Sequence, residues 1–288
     1  MQTRAAPLTV AVASGKGGTG KTTVATSLAM VAAGTGRPVC FFDADVEAPN
    51  GHLFLEPEIA REGPVRLLVP EVDADRCNGC GRCAELCQYG AIIAVGRRAI
   101  VLADLCHGCG GCALVCPERA IRDRPRPIGT VVEGRADTLA FVSGRLDIGQ
   151  ALAPPVIRAA RRRLPRNTTV IVDAPPGTSC PAVHAVRGAD VVVLVTEPTP
   201  FGLHDLELAV DMVRLLEIPI GVVVNRADGD SADVERYCRD QALPVLASLP
   251  EDRRVAEACA RARLTVEALP EYGPAYLELW QRIEELAA

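Results

Sequence analysis

The sequence predicts an α/β fold: a doubly wound, mostly parallel sheet built around a phosphate-binding loop, with a small α+β domain inserted. Three observations lead there. Nearly continuous apolar runs alternate with helical patterns, as strands covered on both faces and their crossover helices do. A glycine-rich turn, SGKGGTGKTT, joins the first run to the first helix. From about residue 72 to residue 126, cysteine, glycine and charge replace the alternation.

The strands expected from apolar, β-branched composition are, in order, LTVAVA at 8–13, PVCFF at 38–42, TLAFV at 138–142, TVIV at 169–172, VVVLVT at 191–196 and IGVVV at 220–224. Helical patterns fall between and after them at 21–33, 155–163, 203–216, 232–241, 253–263 and 274–286. A chain of 288 residues has room for one large domain and a small second one. The expected division is residues 1–70 with 127–288 for the sheet, and 71–126 for the insert. The arginine- and proline-rich segment at 122–129 reads as the return linker.

A net charge of −5 gives no basic surface for nucleic acid or an anionic membrane. Arg161-Arg162-Arg163 reads as a solvated helix face. The opening apolar run is too short for a signal segment, and no stretch reaches the roughly 18 apolar residues of a membrane span. The expectation is a cytoplasmic protein without membrane insertion. Thiols stay reduced there, so twelve cysteines are not a disulfide framework and their spacing must explain them.

That spacing is a repeat. CNGCGRCAELCQYGAI at 77–92 aligns with CHGCGGCALVCPERAI at 106–121, at a constant offset of 29 residues. Each copy carries C-x2-C-x2-C-x3-C. Three cysteines so close can wrap one face of a cubane cluster, and the fourth serves the other cluster, as in two-cluster ferredoxins. One [4Fe–4S] centre is thus expected on Cys77, Cys80, Cys83 and Cys116, and the other on Cys106, Cys109, Cys112 and Cys87. Tetrahedral zinc is the rival, although zinc pairs usually lie farther apart with no third cysteine between them. Gln88 stands where the second copy has Pro117, and His107 beside Cys106 is either a tuner of cluster potential or an exposed bystander.

The glycine-rich turn fits G-x4-G-K-[ST]. Residues Gly15, Lys16, Gly17, Gly18, Thr19, Gly20, Lys21, Thr22 and Thr23 would cradle the phosphates of ATP or ADP with backbone N–H groups and a helix N-terminus. Lys21 would reach the β- and γ-phosphates, and the Thr22 hydroxyl would sit on Mg²⁺. Asp173, ending VIVD, is placed for the same metal shell, and Gly177 for a switch loop. FFDAD places Asp43 and Asp45 at the end of the second strand. Asp45 is the choice for orienting the attacking water, with a capping or turn role as the alternative. One oddity remains: Lys16 and Lys21 are the only lysines among 31 basic residues. A loop that keeps both needs a compact ammonium twice.

K-G-G-T-G-K-T, with the DAD, DAPPG and VVVNR segments, resembles the MinD/ParA/nitrogenase iron protein class of P-loop ATPases. The cysteine repeat and TEPTPFGLHDLELAV at 196–210 further resemble the MinD-like ATPases that contain an inserted ferredoxin domain. The resemblance implies that Lys16 crosses a dimer interface to the partner's nucleotide, so hydrolysis is tied to ATP-dependent pairing as a homodimer or with a paralogue. It also implies adenine contacts from Asn225 and from the loop of Leu249, Pro250, Glu251 and Asp252. The chain departs from cluster-carrier relatives in lacking a C-terminal C-x-x-C, since Cys238 and Cys259 stand alone. Cys180 is expected to be a small buried thiol at a helix start, Cys40 core packing, and the acidic YLELWQRIEELAA a closing helix on the sheet. Three functions compete: an ATPase gating electron transfer to a redox partner, an iron–sulfur or metallocofactor assembly ATPase acting on a maturation partner, and a positioning or redox-sensing switch.

Overall fold

In the computed structural model, which describes residues 6–227 and 231–288, the strands are β1 (Thr9–Ala13), β2 (Val39–Asp43), β3 (Glu58–Val72), β4 (Ile92–Val95), β5 (Arg98–Val101), β6 (Ile121–Ala136), β7 (Leu139–Leu146), β8 (Thr169–Asp173), β9 (Val191–Thr196), β10 (Ile220–Ala227) and β11 (Val245–Pro250). The helices are α1 (Lys21–Gly34), α2 (Gly51–Leu55), α3 (Arg82–Leu86), α4 (Gly111–Leu114), α5 (Ala153–Arg161), α6 (Cys180–Val186), α7 (Pro200–Arg214), α8 (Ala232–Asp240), α9 (Arg253–Ala260), α10 (Thr265–Ala268) and α11 (Gly273–Leu286). Nine strands form one sheet in the order β11-β10-β9-β1-β8-β2-β7-β6-β3, and β4-β5 form a separate antiparallel hairpin. From β11 to β7 the pairing is parallel. β1 sits between β8 and β9, so the chain order reverses around it, and in such sheets ligands gather at the carboxyl ends of the strands beside the reversal.

Every strand expected from the sequence is present, starting within one residue of the expected position, although β7 and β10 run four and three residues farther; residues such as Val10, Phe41, Ile171 and Val193 are wholly buried and have no polar face to pattern. Phe41 and Phe141 stack across paired β2 and β7 with centroids 6.1 Å apart. α11 packs on α1 and β11 and buries Tyr276, Leu279, Trp280 and Ile283, with the Arg37 guanidinium over the indole ring. No helix among the described residues is long and apolar enough to cross a membrane.

Several expectations are corrected. Residues 122–129 are not a linker: they belong to β6, whose charged side chains face outward, Arg122 pairing with Glu71 at 2.9 Å and Arg126 with Asp104. The alternation was hidden by prolines at 125 and 127. Leu249 and Pro250 end strand β11 rather than lying in a loop. Arg161 is no solvated residue, since its guanidinium donates to the carbonyls of His184 and Ala185 and lies over the Phe42 ring. Cys180 does begin a helix, α6, but is exposed. Cys40 is core packing as expected, its thiol pushed up to about 12 by burial.

The chain divides into two compact units: Met1–Glu62, Val131–Arg145 and Ile157–Ala288 in one, Gly63–Thr130 and Leu146–Val156 in the other. In the second unit the sequence repeat is structural. α3 and α4 begin 29 residues apart, as do β4 and β6. Two small cores hold it, one on Val69, Ala91 and Cys106, the other on Cys83, Ile92 and Ile121.

Candidate functional site

The glycine-rich loop leaves β1 at Ala13 and enters α1 at Lys21. Gly15 has no room for a side chain: a Cβ there would lie 2.0 Å from the Asp205 carbonyl oxygen of α7. Gly18 and Gly20 take φ values of 82° and 87°, the left-handed region that glycine enters without strain. The loop is braced on both sides. Ser14 Oγ donates to the Lys16 carbonyl at 2.7 Å, Asn225 Nδ2 to the Thr19 carbonyl at 2.8 Å, and the Gly177 N–H to the Ser14 carbonyl at 2.9 Å.

Behind the loop lies a buried charge system. Asp173 is fully buried at the end of β8, accepting from Lys21 Nζ at 3.2 Å and from the Thr22 hydroxyl at 2.6 Å. Burial pushes its carboxyl up, opposed by the Lys21 ammonium and by both hydrogen bonds. Asp43 is its cross-strand neighbour on β2. Burial and then the Asp173 charge push the Asp43 carboxyl well above the ordinary value, although the N–H groups of Gly51, Asn50 and Asp45 all donate to it. The Asp43 side chain thus holds the turn between β2 and α2. Asp45 accepts from the Ala48 N–H at 3.3 Å and keeps its place at the edge of the adjoining cleft.

That cleft, about 960 Å³, is lined by Gly17, Gly18, Gly20, Lys21, Thr22 and Thr23 from the loop. Asp45, Asn225, Leu249, Pro250, Glu251 and Asp252 complete the expected residues on its wall. Gly15, Lys16, Thr19, Asp43, Asp173 and Gly177 do not line it. Thr19 Oγ1 is buried without a hydrogen-bond partner among the described residues. An orphaned hydroxyl, left-handed glycines, a lysine paired with a buried aspartate and a threonine beside the same aspartate together suit a phosphate and its divalent cation. Sequence reasoning missed Tyr272, Tyr276 and Cys259 on the same wall, and Cys259 Sγ lies 3.4 Å from Thr23 Oγ1. Nothing in their local sequence marks them, because they arrive from distant elements: Cys259 from α9, Tyr272 from just before α11 and Tyr276 from the first turn of α11.

Lys16 points elsewhere. Its ammonium lies 3.3 Å from Glu197 Oε2, just beyond β9, while Glu197 Oε1 takes the guanidinium of Arg226. Glu197 stands within the quoted TEPTP stretch, yet its spacing from the loop, 181 residues in sequence, gave no signal of the contact.

The eight repeat cysteines separate into two pockets. Cys77, Cys80, Cys83 and Cys116 line one; Cys87, Cys106, Cys109 and Cys112 line the other. Each pocket draws three thiols from one copy of the repeat and the fourth from the other copy. Backbone N–H groups donate to sulfur at repeat-related positions, Ala91 to Cys87 and Ala120 to Cys116, both at 3.3 Å. Gly79 is required by its φ of 74° and by the Arg97 backbone, 2.5 Å from a would-be Cβ. Among the described residues no group of three or more His, Cys, Asp or Glu side chains is arranged to hold a metal ion. The copies differ at their rims. Asn78 Nδ2 donates to Glu118 at 2.9 Å over the first pocket, whereas the repeat-related His107 and Tyr89 stack at 3.6 Å over the second.

Comparison with known proteins extends these observations. The family model described as the CobQ/CobB/MinD/ParA nucleotide binding domain matches residues 10–266. An uncharacterized protein of Methanocaldococcus jannaschii is 29% identical over 287 residues, covering 96% of each chain. An iron–sulfur cluster carrier protein of Pyrococcus furiosus is 24% identical over 86% of this chain and 76% of its own. The solved structure of the septum site-determining protein MinD complexed with Mg-ADP, from Pyrococcus horikoshii, superposes with a TM-score of 0.61 over 98% of both chains at 20% identity, a likeness of fold. The chain therefore belongs to the CobQ/CobB/MinD/ParA family of nucleotide-binding domains, with an α/β P-loop fold like that of MinD.

Proposed function

We propose that the chain is a Mg²⁺-dependent ATPase that couples nucleotide-driven pairing of two chains to electron transfer through two [4Fe–4S] centres. Residues 1–70 and 127–288 form the ATPase domain in this reading, and 71–126 the ferredoxin-like insert. The observation that carries it is the sorting of eight cysteines into two four-thiol pockets, three from one repeat copy and one from the other. The donor set suits cubane clusters: four thiols lining each pocket, three of them at the close C-x2-C-x2-C spacing, and amide N–H groups aimed at sulfur. Such clusters, when bound, supply one-electron chemistry.

On the nucleotide side, Thr22 and Asp173 are the residues to hold Mg²⁺, Lys21 to hold the phosphates, and Asp45 to orient water at the cleft edge. Lys16 would serve the nucleotide of the partner chain, a homodimer or a paralogue, so that hydrolysis waits for pairing. A second reading has one observation in its favour, the likeness to an iron–sulfur cluster carrier: the clusters would then be cargo for a maturation partner. Anaerobic purification with iron, sulfide and ATPase assays tests the proposal. About eight iron and eight sulfide per chain are expected, with Lys16→Ala keeping nucleotide binding but losing ATP-dependent dimerisation and hydrolysis. Two zinc ions per chain, or full activity in Lys16→Ala, would overturn it. Cluster transfer to an apo-acceptor would select the carrier reading.

A further inference from the structure

The two lysines of the loop are both paired with carboxylates of their own chain, in different ways. Lys21 is 9% exposed at its side chain and faces an aspartate with no exposure, so it is fixed. Lys16 is 31% exposed and faces Glu197, which is 12% exposed. Glu197 is the anchored member: it follows the buried strand β9, and the preceding Thr196 hydroxyl donates to the Gly202 carbonyl at 2.9 Å. Arg226, held at a φ of 55°, occupies the other carboxylate oxygen and takes up part of its charge. The hold on Lys16 is therefore specific but soft, and a more highly charged polyanion can win the ammonium from it.

We infer that Glu197 is a positioning residue that parks Lys16 on its own chain, and that the phosphates of the partner's nucleotide compete with it for that lysine. This rests on the reading that Lys16 acts across the dimer. Glu197 then sets how much of the ATP-driven association is spent on breaking the ion pair. Pairing stays low until a triphosphate is present on the other side.

Having only two lysines makes the test clean. The full-length protein in Mg-ADP is treated with an acetylating N-hydroxysuccinimide ester for timed intervals, and acetylation at Lys16 and Lys21 is read by peptide mass spectrometry. Glu197→Gln is expected to speed Lys16 labelling about fivefold, the scale of a partly exposed ion pair, with Lys21 unchanged as an internal control. Glu197→Asp, a smaller change to the fold, should fall between. In a non-hydrolysable Mg-ATP analogue, sedimentation velocity should show Glu197→Gln associating at a several-fold lower protein concentration than wild type, with no such gain in a Lys16→Ala background. Unchanged Lys16 labelling in both variants overturns the parking. Faster labelling with association like the wild type, lost in Lys16→Ala, overturns the competition while the dimer reading stands. Faster labelling with no ATP-dependent association of the wild type overturns the dimer reading itself, and the competition with it.

Discussion

Lys16 and Lys21 were conspicuous in the sequence as the only lysines, and in the structure each meets a different carboxylate of its own chain. Lys21, Thr22 and Asp173 were legible because a motif fixes their neighbours. Glu197 and Arg226 were not, since a long-range ion pair leaves no local pattern. The same limit applies to Asp43, whose carboxyl reads like a ligand in sequence but is bound by three backbone N–H groups. Its pH behaviour follows from its burial. The folded value is raised well above 3.8, so the stability that Asp43 contributes is fully present below 3.8 and is lost as pH rises through the folded value. Asp43→Asn keeps the shape and removes the titration. Urea unfolding midpoints across that window are expected to fall with rising pH in the wild type and to fall less in Asp43→Asn; equal slopes would mean that this carboxyl does not titrate there.

β1, β2, β8, β9 and β10 were readable because a buried parallel strand is apolar on both faces, whereas β3 and β6 hid behind charge. In β6, Arg122, Arg124 and Arg126 are outward neighbours of Glu71 and Asp104, and only the partner acids show that these arginines belong to a strand. The short helices α3 and α4 have the opposite history. Their propensity is slight and no apolar period marks them, yet they recur at the 29-residue offset of the repeat, and each carries one pocket cysteine, Cys83 in α3 and Cys112 in α4. The pocket membership makes a sharp expectation for Cys116→Ala. This cysteine lies in the second copy of the repeat but lines the pocket of Cys77, Cys80 and Cys83. The variant should lose about half its iron, with the electron paramagnetic resonance signal of the centre on Cys87, Cys106, Cys109 and Cys112 retained. Selective loss of that other signal would mean that the fourth cysteine serves its own copy.

Joining a phosphate loop and a doubled cysteine repeat in one polypeptide has a consequence that neither part has alone. If pairing of two chains around ATP changes the surroundings of the clusters, then by linkage the oxidation state of the clusters changes the affinity for nucleotide by the same factor. The measurable form is a potentiometric titration followed by electron paramagnetic resonance, performed on one anaerobic preparation with Mg-ADP and with a non-hydrolysable Mg-ATP analogue. A tenfold coupling appears as a shift of about 59 mV in a one-electron couple, or roughly 1.4 kcal/mol. Electron-transfer gating calls for a shift of at least that order, together with a matching difference in nucleotide affinity between oxidised and reduced protein. Lys16→Ala should abolish the shift while leaving nucleotide bound, because in this account the coupling passes through pairing rather than through occupancy of the cleft. Identical potentials in both nucleotides, in protein shown to bind them, would remove redox gating and leave cluster delivery to a partner as the use of the ATP.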